Sequence, residues 1–314
     1  MPSSVSVIVP TYNRASLVTQ AVDSLLAQTR VPDEIIVVND GSKDDTEKVL
    51  QKYQRPVKVI NQPNGGLASA RNAGLKAATG DFVAFLDDDD TLTPDSIEKR
   101  ASFLEKYPEK PIVYGNIEVI FIDEASSQHS KYQIRDVPIT YSGDVFSKII
   151  LRNLAPIHAF MARRTCFENN VLFRSAFPGV EDYDLWVRLA EHFHFYYIDN
   201  LVGYYRFHAS QMSSIHRQKM YSAEIKIREE AFTTPTFAKL SPAEQARAYS
   251  VQATRYMLLG NTKQSRYWYR RAISIHPQQA RNYFLLGLTF LGAKGFQSAT
   301  DKILQLRSKS SSGL

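Results

Sequence analysis

Asp81-Phe82-Val83-Ala84-Phe85-Leu86-Asp87-Asp88-Asp89-Asp90 is the stretch whose reading decides the fold. A strand-length apolar run follows Gly80 and ends in four adjacent carboxylates. Neighbouring carboxylates repel one another unless water or a cation neutralises them, and a strand edge is a poor place for solvation alone. Hard oxygen donors suit magnesium or manganese, which take one or two carboxylates and keep open positions for phosphate oxygens. In an open α/β sheet the carboxyl ends of strands are where ligands bind. The competing reading is an acidic loop that caps a helix near Pro94.

Upstream, short β-rich runs alternate with helical patterns, the signature of βαβ units and a largely parallel, buried sheet. Val5 to Val9 reads as the first strand. Val18, Ala21, Val22, Leu25 and Leu26 then recur at helical spacing within Leu17 to Gln28, and Pro32 stops that helix before a strand at Glu34 to Val38. After the turn Asn39-Asp40-Gly41-Ser42 come a helix at Lys43 to Tyr53 and a strand at Val57 to Ile60. Asn64-Gly65-Gly66 leads into a helix at Leu67 to Ala78. Downstream the pattern loosens, with strands expected at Ile112 to Tyr114 and Glu118 to Asp123 and a helix at Asp182 to His192.

Chemistry on a nucleoside diphosphate needs a pocket for the base, a means of neutralising phosphate charge and, where a hydroxyl is the acceptor, a general base. Tyr12, just past the first strand, offers a face for a planar base, and Asp40, past the next, an acceptor for a ring N–H; a turn aspartate is also a common structural residue. Arg71 supplies either a cation for the diphosphate, a donor to the base or a salt bridge. Glu181 and Asp182 open a helix, where one of them can deprotonate an acceptor or both simply favour the helix terminus. His208 is a candidate nitrogen ligand or a structural histidine.

Taken in order, Ser6-Val7-Ile8-Val9-Pro10-Thr11-Tyr12-Asn13-Arg14, Val38-Asn39-Asp40-Gly41-Ser42, Ala70-Arg71-Asn72-Ala73-Gly74, Leu86-Asp87-Asp88-Asp89-Asp90, Glu181-Asp182-Tyr183-Asp184-Leu185-Trp186 and Tyr205-Arg206-Phe207-His208 resemble family 2 glycosyltransferases over roughly residues 3 to 215. The resemblance implies the GT-A fold, a Rossmann-like mixed sheet flanked by helices, here with a C-terminal α-helical extension. It implies that Pro10, Tyr12, Asp40 and Arg71 line the nucleoside pocket, that Asp88 approaches the ribose, and that Asp89 binds the metal, Mn2+ or Mg2+. Asp182 is implied as catalytic base and His208 as a distal metal or phosphate contact. The implied reaction inverts the anomeric carbon by direct displacement. The implied donor is a nucleotide-diphosphate sugar, UDP-sugar favoured over its dTDP and GDP counterparts, and the acceptor a glycan, polysaccharide or lipid-linked hydroxyl. Asn39 departs from the first aspartate that many relatives carry beside Asp40.

The domains expected are 1–215, catalytic, and 216–314, helical. Residues 1–215 hold 22 Lys and Arg against 27 Asp and Glu, a net −5, whereas 216–314 hold 16 against 5, a net +11. Such a basic tail suits anionic lipid headgroups or a protein partner, or is a solvated helix surface; no nucleic acid is expected. From about residue 241, Tyr249, Ala253, Tyr256, Ser265, Tyr269, Ala272 and Pro277 fall at tetratricopeptide offsets, and Tyr283, Gly287, Phe290 and Ala299 recur 34 residues later. The single cysteine, Cys166, excludes an internal disulfide. With neither a signal-peptide pattern nor a bilayer-length apolar run, the expected place is the cytoplasm, with peripheral contact at the inner membrane face. A nucleotidyltransferase would carry a Gly- and Lys-rich phosphate loop where Pro10-Thr11-Tyr12-Asn13 stands. A scaffold that has lost activity would have no use for Asp89, Asp182 and His208.

Overall fold

The computed structural model describes residues 2–122, 129–131, 140–169, 171–207 and 217–311. They form two compact units, Met1–Ile215 and His216–Leu314.

In the first unit, β1 (Val5–Thr11) is buried along its whole length, as a strand covered by helices on both faces must be. Parallel neighbours β2 (Glu34–Asn39) and β4 (Phe82–Phe85) flank it, and β3 (Val57–Asn61) extends the parallel set beyond β2. The other half is mixed. β8 (Phe160–Arg163) runs antiparallel to β4 and to β6 (Ile112–Ile122). β9 (Phe195–Phe207) lies parallel to β6, and β5 (Thr91–Leu92) antiparallel to β9. The short β7 (His129–Lys131) pairs with β6 off the main order, which reads β3-β2-β1-β4-β8-β6-β9-β5.

The helices of this unit are α1 (Ala15–Leu26), α2 (Thr46–Leu50), α3 (Leu67–Ala77), α4 (Ser96–Lys106), α5 (Phe146–Ile149) and α6 (Glu181–Ala190). Val18, Ala21, Val22 and Leu25 of α1 join Val7, Val9, Ile35 and Val37 in the core. On α3, a Cβ at Gly74 would stand 2.3 Å from Ile8 Cγ2, so only glycine lets this helix seat on β1. That seat sets how deep Arg71, one turn earlier, lies.

Several boundaries differ from the sequence reading. The helix expected at Lys43 to Tyr53 shortens to α2, because the Asp44 carboxylate accepts from Thr46 N and Oγ1 and makes a turn of its start. The two strands expected between Ile112 and Asp123 are one, β6, continuous through register shifts around Asn116.

The second unit is helical: α7 (Arg217–Ala231), α8 (Pro235–Ala238), α9 (Pro242–Leu258), α10 (Thr262–Ile275), α11 (Ala280–Leu288) and α12 (Gly292–Ser311), with a 3-10 turn at Thr289–Leu291. Ser241 and Glu244 close a capping box on α9, and Asn261 caps α10 through Gln264 N. Tyr249, Ala253, Ser265, Tyr269 and Ala272 are buried in this helix pair, whereas Tyr283 and Phe290 at the second set of repeat positions are exposed. No described helix is long and apolar enough to cross a membrane.

Candidate functional site

Because β1, β2 and β4 are parallel, the loops after them emerge at one edge of the sheet. Pro10 is inside β1, in register with Val38, and Tyr12 lies just beyond the strand with 43% of its surface exposed. Asn13, at φ 54°, ties two of these loops together, since its N–H donates to Ser42 Oγ and its Oδ1 accepts from Lys43 N. Asp40 is buried and braces the loop that follows β3. Its carboxylate accepts from Gly65 N at 2.9 Å, Gly66 N at 2.8 Å and Gln62 Nε2 at 2.7 Å.

The acidic run divides by burial: Asp88 and Asp90 are buried, while Asp87 and Asp89 are half-buried. Arg14, which the sequence reading did not single out, uses one nitrogen, Nη1, to reach Asp88 Oδ1 at 2.8 Å and Asp89 Oδ2 at 2.6 Å. Burial pushes the Asp88 carboxyl up to about 7; Arg14 opposes that and the Asp89 charge adds to it. Asp90 is gripped from two sides. Arg206 N, at the end of β9, donates to Oδ1 at 2.9 Å, and His158 Nδ1 stands 2.9 Å from Oδ2. The second contact is close but not aligned as a hydrogen bond, and among the described residues neither ring nitrogen of His158 has a hydrogen-bond partner. His158 is fully buried, and Gly203 makes room for it: a Cβ there would meet His158 Cδ2 at 2.8 Å. Arg100, also fully buried, fixes the turn beneath by donating to His158 O and Phe160 O, each at 2.9 Å.

Asp87, Asp89 and Asp90 each offer an oxygen, and the three lie within 4.8 Å of one another. Magnesium or manganese with oxygens at about 2.1 Å sets opposite ligands about 4.2 Å and adjacent ones about 3.0 Å apart, so the three side chains must draw together to share one ion, a movement within reach of their rotamers. Asp89, the expected ligand, belongs to this cluster; Asp88 does not.

Arg71 joins the acidic run to α6. It donates to Asp87 Oδ1 at 2.6 Å and to Glu181 Oε1 at 3.2 Å, from a buried position over the Phe173 ring. Asp182, next to Glu181, keeps part of its surface open yet is densely surrounded by protein. That desolvation pushes its carboxyl up to about 6, against the pull of Arg71 and with the help of Glu181. Asn153 Nδ2 donates to its Oδ2 at 2.9 Å and Tyr183 N to its Oδ1 at 2.7 Å, which fixes the group. Asp184, one residue past Tyr183, is instead fully buried between Arg174 and Arg188 and anchors α6. His208 lies outside the described residues.

A chain with two acidic segments joined in this way, at the edge of a sheet that begins β-α-β, matches the family model for glycosyl transferase family 2 over residues 6–165. The chain belongs to that family. An uncharacterized glycosyltransferase of Rickettsia felis is 34% identical over 212 residues, which are 67% of this chain and 35% of that protein. The chain thus spans about a third of that relative's length, and between 30% and 66% of four further Rickettsia glycosyltransferases. The S. aureus TarS 1-349 structure in complex with UDP-GlcNAc superposes with TM-score 0.65 at 21% identity, covering 96% of this chain and 92% of that one. Mannosyltransferase PcManGT from Pyrobaculum calidifontis, in complex with GDP-Man and Mn2+, gives 0.62 at 18% identity, covering 97% and 88%. The family 2 chain shares with these structures the GT-A fold: a mixed sheet flanked by helices, followed by C-terminal helices.

Arg14, His158, Arg100 and Arg206 are the residues around this family 2 site that sequence reasoning missed as participants, and Glu181, named there as a possible base, is instead the partner of Arg71. Arg14 stands inside a quoted motif, and Glu181 beside the expected base. His158 has no local signal, being one histidine in an apolar segment.

Proposed function

We propose that residues 1–215 are the catalytic domain of an inverting glycosyltransferase, taking a sugar from a nucleotide-diphosphate donor, UDP favoured, to a hydroxyl of a glycan, polysaccharide or lipid-linked acceptor. The observation that carries this reading is the Asp87–Arg71–Glu181 ion-pair chain, which ties the acidic run after β4 to the helix start that bears Asp182. An acidic cluster suited to a cation and a carboxyl with an upward-shifted pKa are two of the parts that metal-assisted glycosyl transfer requires.

Asp89, with Asp87 and Asp90 in the same cluster, would hold magnesium or manganese, which would supply positive charge for the departing diphosphate. Asp182 takes the proton of the acceptor hydroxyl as its oxygen bonds to the anomeric carbon. The bond from that carbon to the diphosphate breaks on the opposite face and its electron pair leaves with the phosphate, so configuration inverts without an enzyme-bound intermediate. Tyr12 and Pro10 at the end of β1 face the base, with Asp40 and Arg71 completing that side of the pocket, and Asp88 serves the ribose. Since Asp40 already holds Gly65 and Gly66, its role includes shaping the loop beside the base. His208 is assigned to the distal metal or phosphate contact. The tail is read as a tetratricopeptide-like appendage from about residue 241, and the enzyme as cytoplasmic.

Purified protein with Mn2+ and a panel of nucleotide sugars should hydrolyse or transfer from at least one donor. Asp182→Asn should remove transfer while leaving nucleotide affinity within about twofold. No turnover of any donor, together with Asp89→Asn leaving nucleotide binding unchanged, would end this reading.

A further inference from the structure

The helical unit carries an apolar corner that the catalytic reading does not use. Phe290 and Leu291 are 66% and 60% exposed, with Tyr283 and Phe284 of α11 about half exposed beside them in sequence. Hydrogen bonds hold the corner. Thr289 is fully buried, its Oγ1 donates to Leu286 O at 2.6 Å, and Arg266 Nε donates back to Thr289 Oγ1 at 3.1 Å. Gly292, at φ +70°, then turns the chain into α12. One residue is pinned inward and the next two, adjacent in sequence, are left in water, where exposed large apolar side chains point to an interaction surface.

The charge around it says what kind. Residues 245–300 contain eight Lys and Arg and no Asp or Glu. Arg270, Arg271, Arg281 and Lys294 are exposed. The Arg266 guanidinium lies 4.1 Å from the centroid of the Phe290 ring, so a cation stands directly beside an apolar side chain. A second copy brought against this face in a two-fold contact would set like charge against like, which disfavours self-association. Single-stranded nucleic acid is held in basic grooves with stacked aromatic platforms, whereas this corner projects an aliphatic and an aromatic side chain in succession. Apolar side chains beside a guanidinium, in a stretch of sequence that carries cations and no carboxylates, match the interface of an anionic bilayer, with acyl chains below and phosphates at the level of the guanidinium groups.

We infer that the Phe290-Leu291 corner of the helical unit docks on an anionic lipid surface, seating these two side chains among the headgroups. This stands apart from the donor chemistry, so either can fail alone.

The full chain should float with phosphatidylcholine vesicles containing about one-third phosphatidylserine and not with phosphatidylcholine alone, and salt should release it. Phe290→Ser with Leu291→Ser should lower partitioning about tenfold or more, and Arg270→Gln with Arg281→Gln roughly fivefold per charge removed. Both pairs are exposed, and an unchanged melting curve and unchanged donor turnover verify folding. Equal flotation on neutral and anionic vesicles overturns the inference, as does flotation unchanged by the Phe290/Leu291 pair. A dimer in light scattering that the same pair dissolves, with no flotation, overturns it in favour of a second copy. Binding of homopolymeric RNA that the pair abolishes, again with no flotation, overturns it in favour of nucleic acid.

Discussion

The pH dependence of transfer tests the role of Asp182. A base works only when ionised, and this carboxyl titrates at about 6 because burial disfavours its charge. It is then about nine-tenths ionised at pH 7, half at pH 6 and about one-tenth at pH 5, whereas an ordinary aspartate, with pKa about 3.9, is still more than nine-tenths ionised at pH 5. With saturating Mn2+ and donor, kcat/KM should therefore drop about tenfold between pH 8 and pH 5. Asp182→Asn should lose about 100- to 10,000-fold of activity, with its residual rate flat across the range where wild type falls. Saturating metal matters because Asp88 also titrates high, at about 7, and a nearby cation favours its ionised form. An acid limb centred near pH 4, or one kept by Asp182→Asn, would refute the assignment.

The same shift makes a statement about stability, and its sign is the reverse of the usual aspartate. A folded pKa of about 6 above an unfolded value near 3.8 means that the native state binds the proton more tightly between those two values. The charged group thus opposes folding above pH 6, and that penalty is relieved as pH falls from 6 toward 4. Two pKa units correspond to about 3 kcal/mol, an upper figure because Asp182 is partly open to solvent. Asp182→Asn should be more stable than wild type at pH 8 by up to that amount, and the gain should vanish near pH 4.

Other consequences are independent of that group. Asp89→Asn and Asp87→Asn should each weaken Mn2+ binding by calorimetry, with Asp88→Asn weakening it less because Asp88 lies outside the cluster. His158→Phe removes a buried contact to Asp90 and should lower Mn2+ affinity about tenfold in the nucleotide-free protein; an unchanged affinity would make His158 a packing residue only. Gly74→Ala forces a Cβ against Ile8 and should cost about 1–3 kcal/mol, and Ile8→Ala in the same chain should return part of it as coupling between the two sites. Arg100→Ala removes the arginine donors to the His158 and Phe160 carbonyls and should destabilise by about 3 kcal/mol or more, read from urea midpoints.

Local signals were legible where one segment sets its own environment. β1, β2 and β4 announce themselves as short buried runs, Gly80 as the break before β4, and the acidic run as a strand-end site. β9 escaped because its pairing with β6 crosses a bulge, and its run of tyrosines broken by Asp199 and Asn200 has neither clean alternation nor a continuous apolar stretch. Pairings over long separations were not legible at all. Nothing near Arg71 names Glu181, 110 residues away, and nothing near His158 names Asp90. The tail shows the same limit: Tyr249 is buried, but Tyr283, at the matching position 34 residues later, is exposed.

The ion-pair chain through Arg71 also constrains how the site can be altered. A buried arginine between two carboxylates gives back in Coulomb attraction what it loses in hydration only while both partners remain. Removing Asp87 leaves Arg71 with Glu181 alone, and removing Arg71 leaves two carboxylates uncompensated beside Asp182, whose pKa must then rise further because Arg71 is what holds it down. Charge at the acidic run and basicity at α6 are therefore coupled through one guanidinium. Arg71→Lys keeps the charge but not the fork that reaches both carboxylates. It should move the acid limb of the pH profile upward by several tenths of a unit while leaving the fold intact. A limb unmoved in Arg71→Lys would show that Asp182 takes its basicity from burial alone.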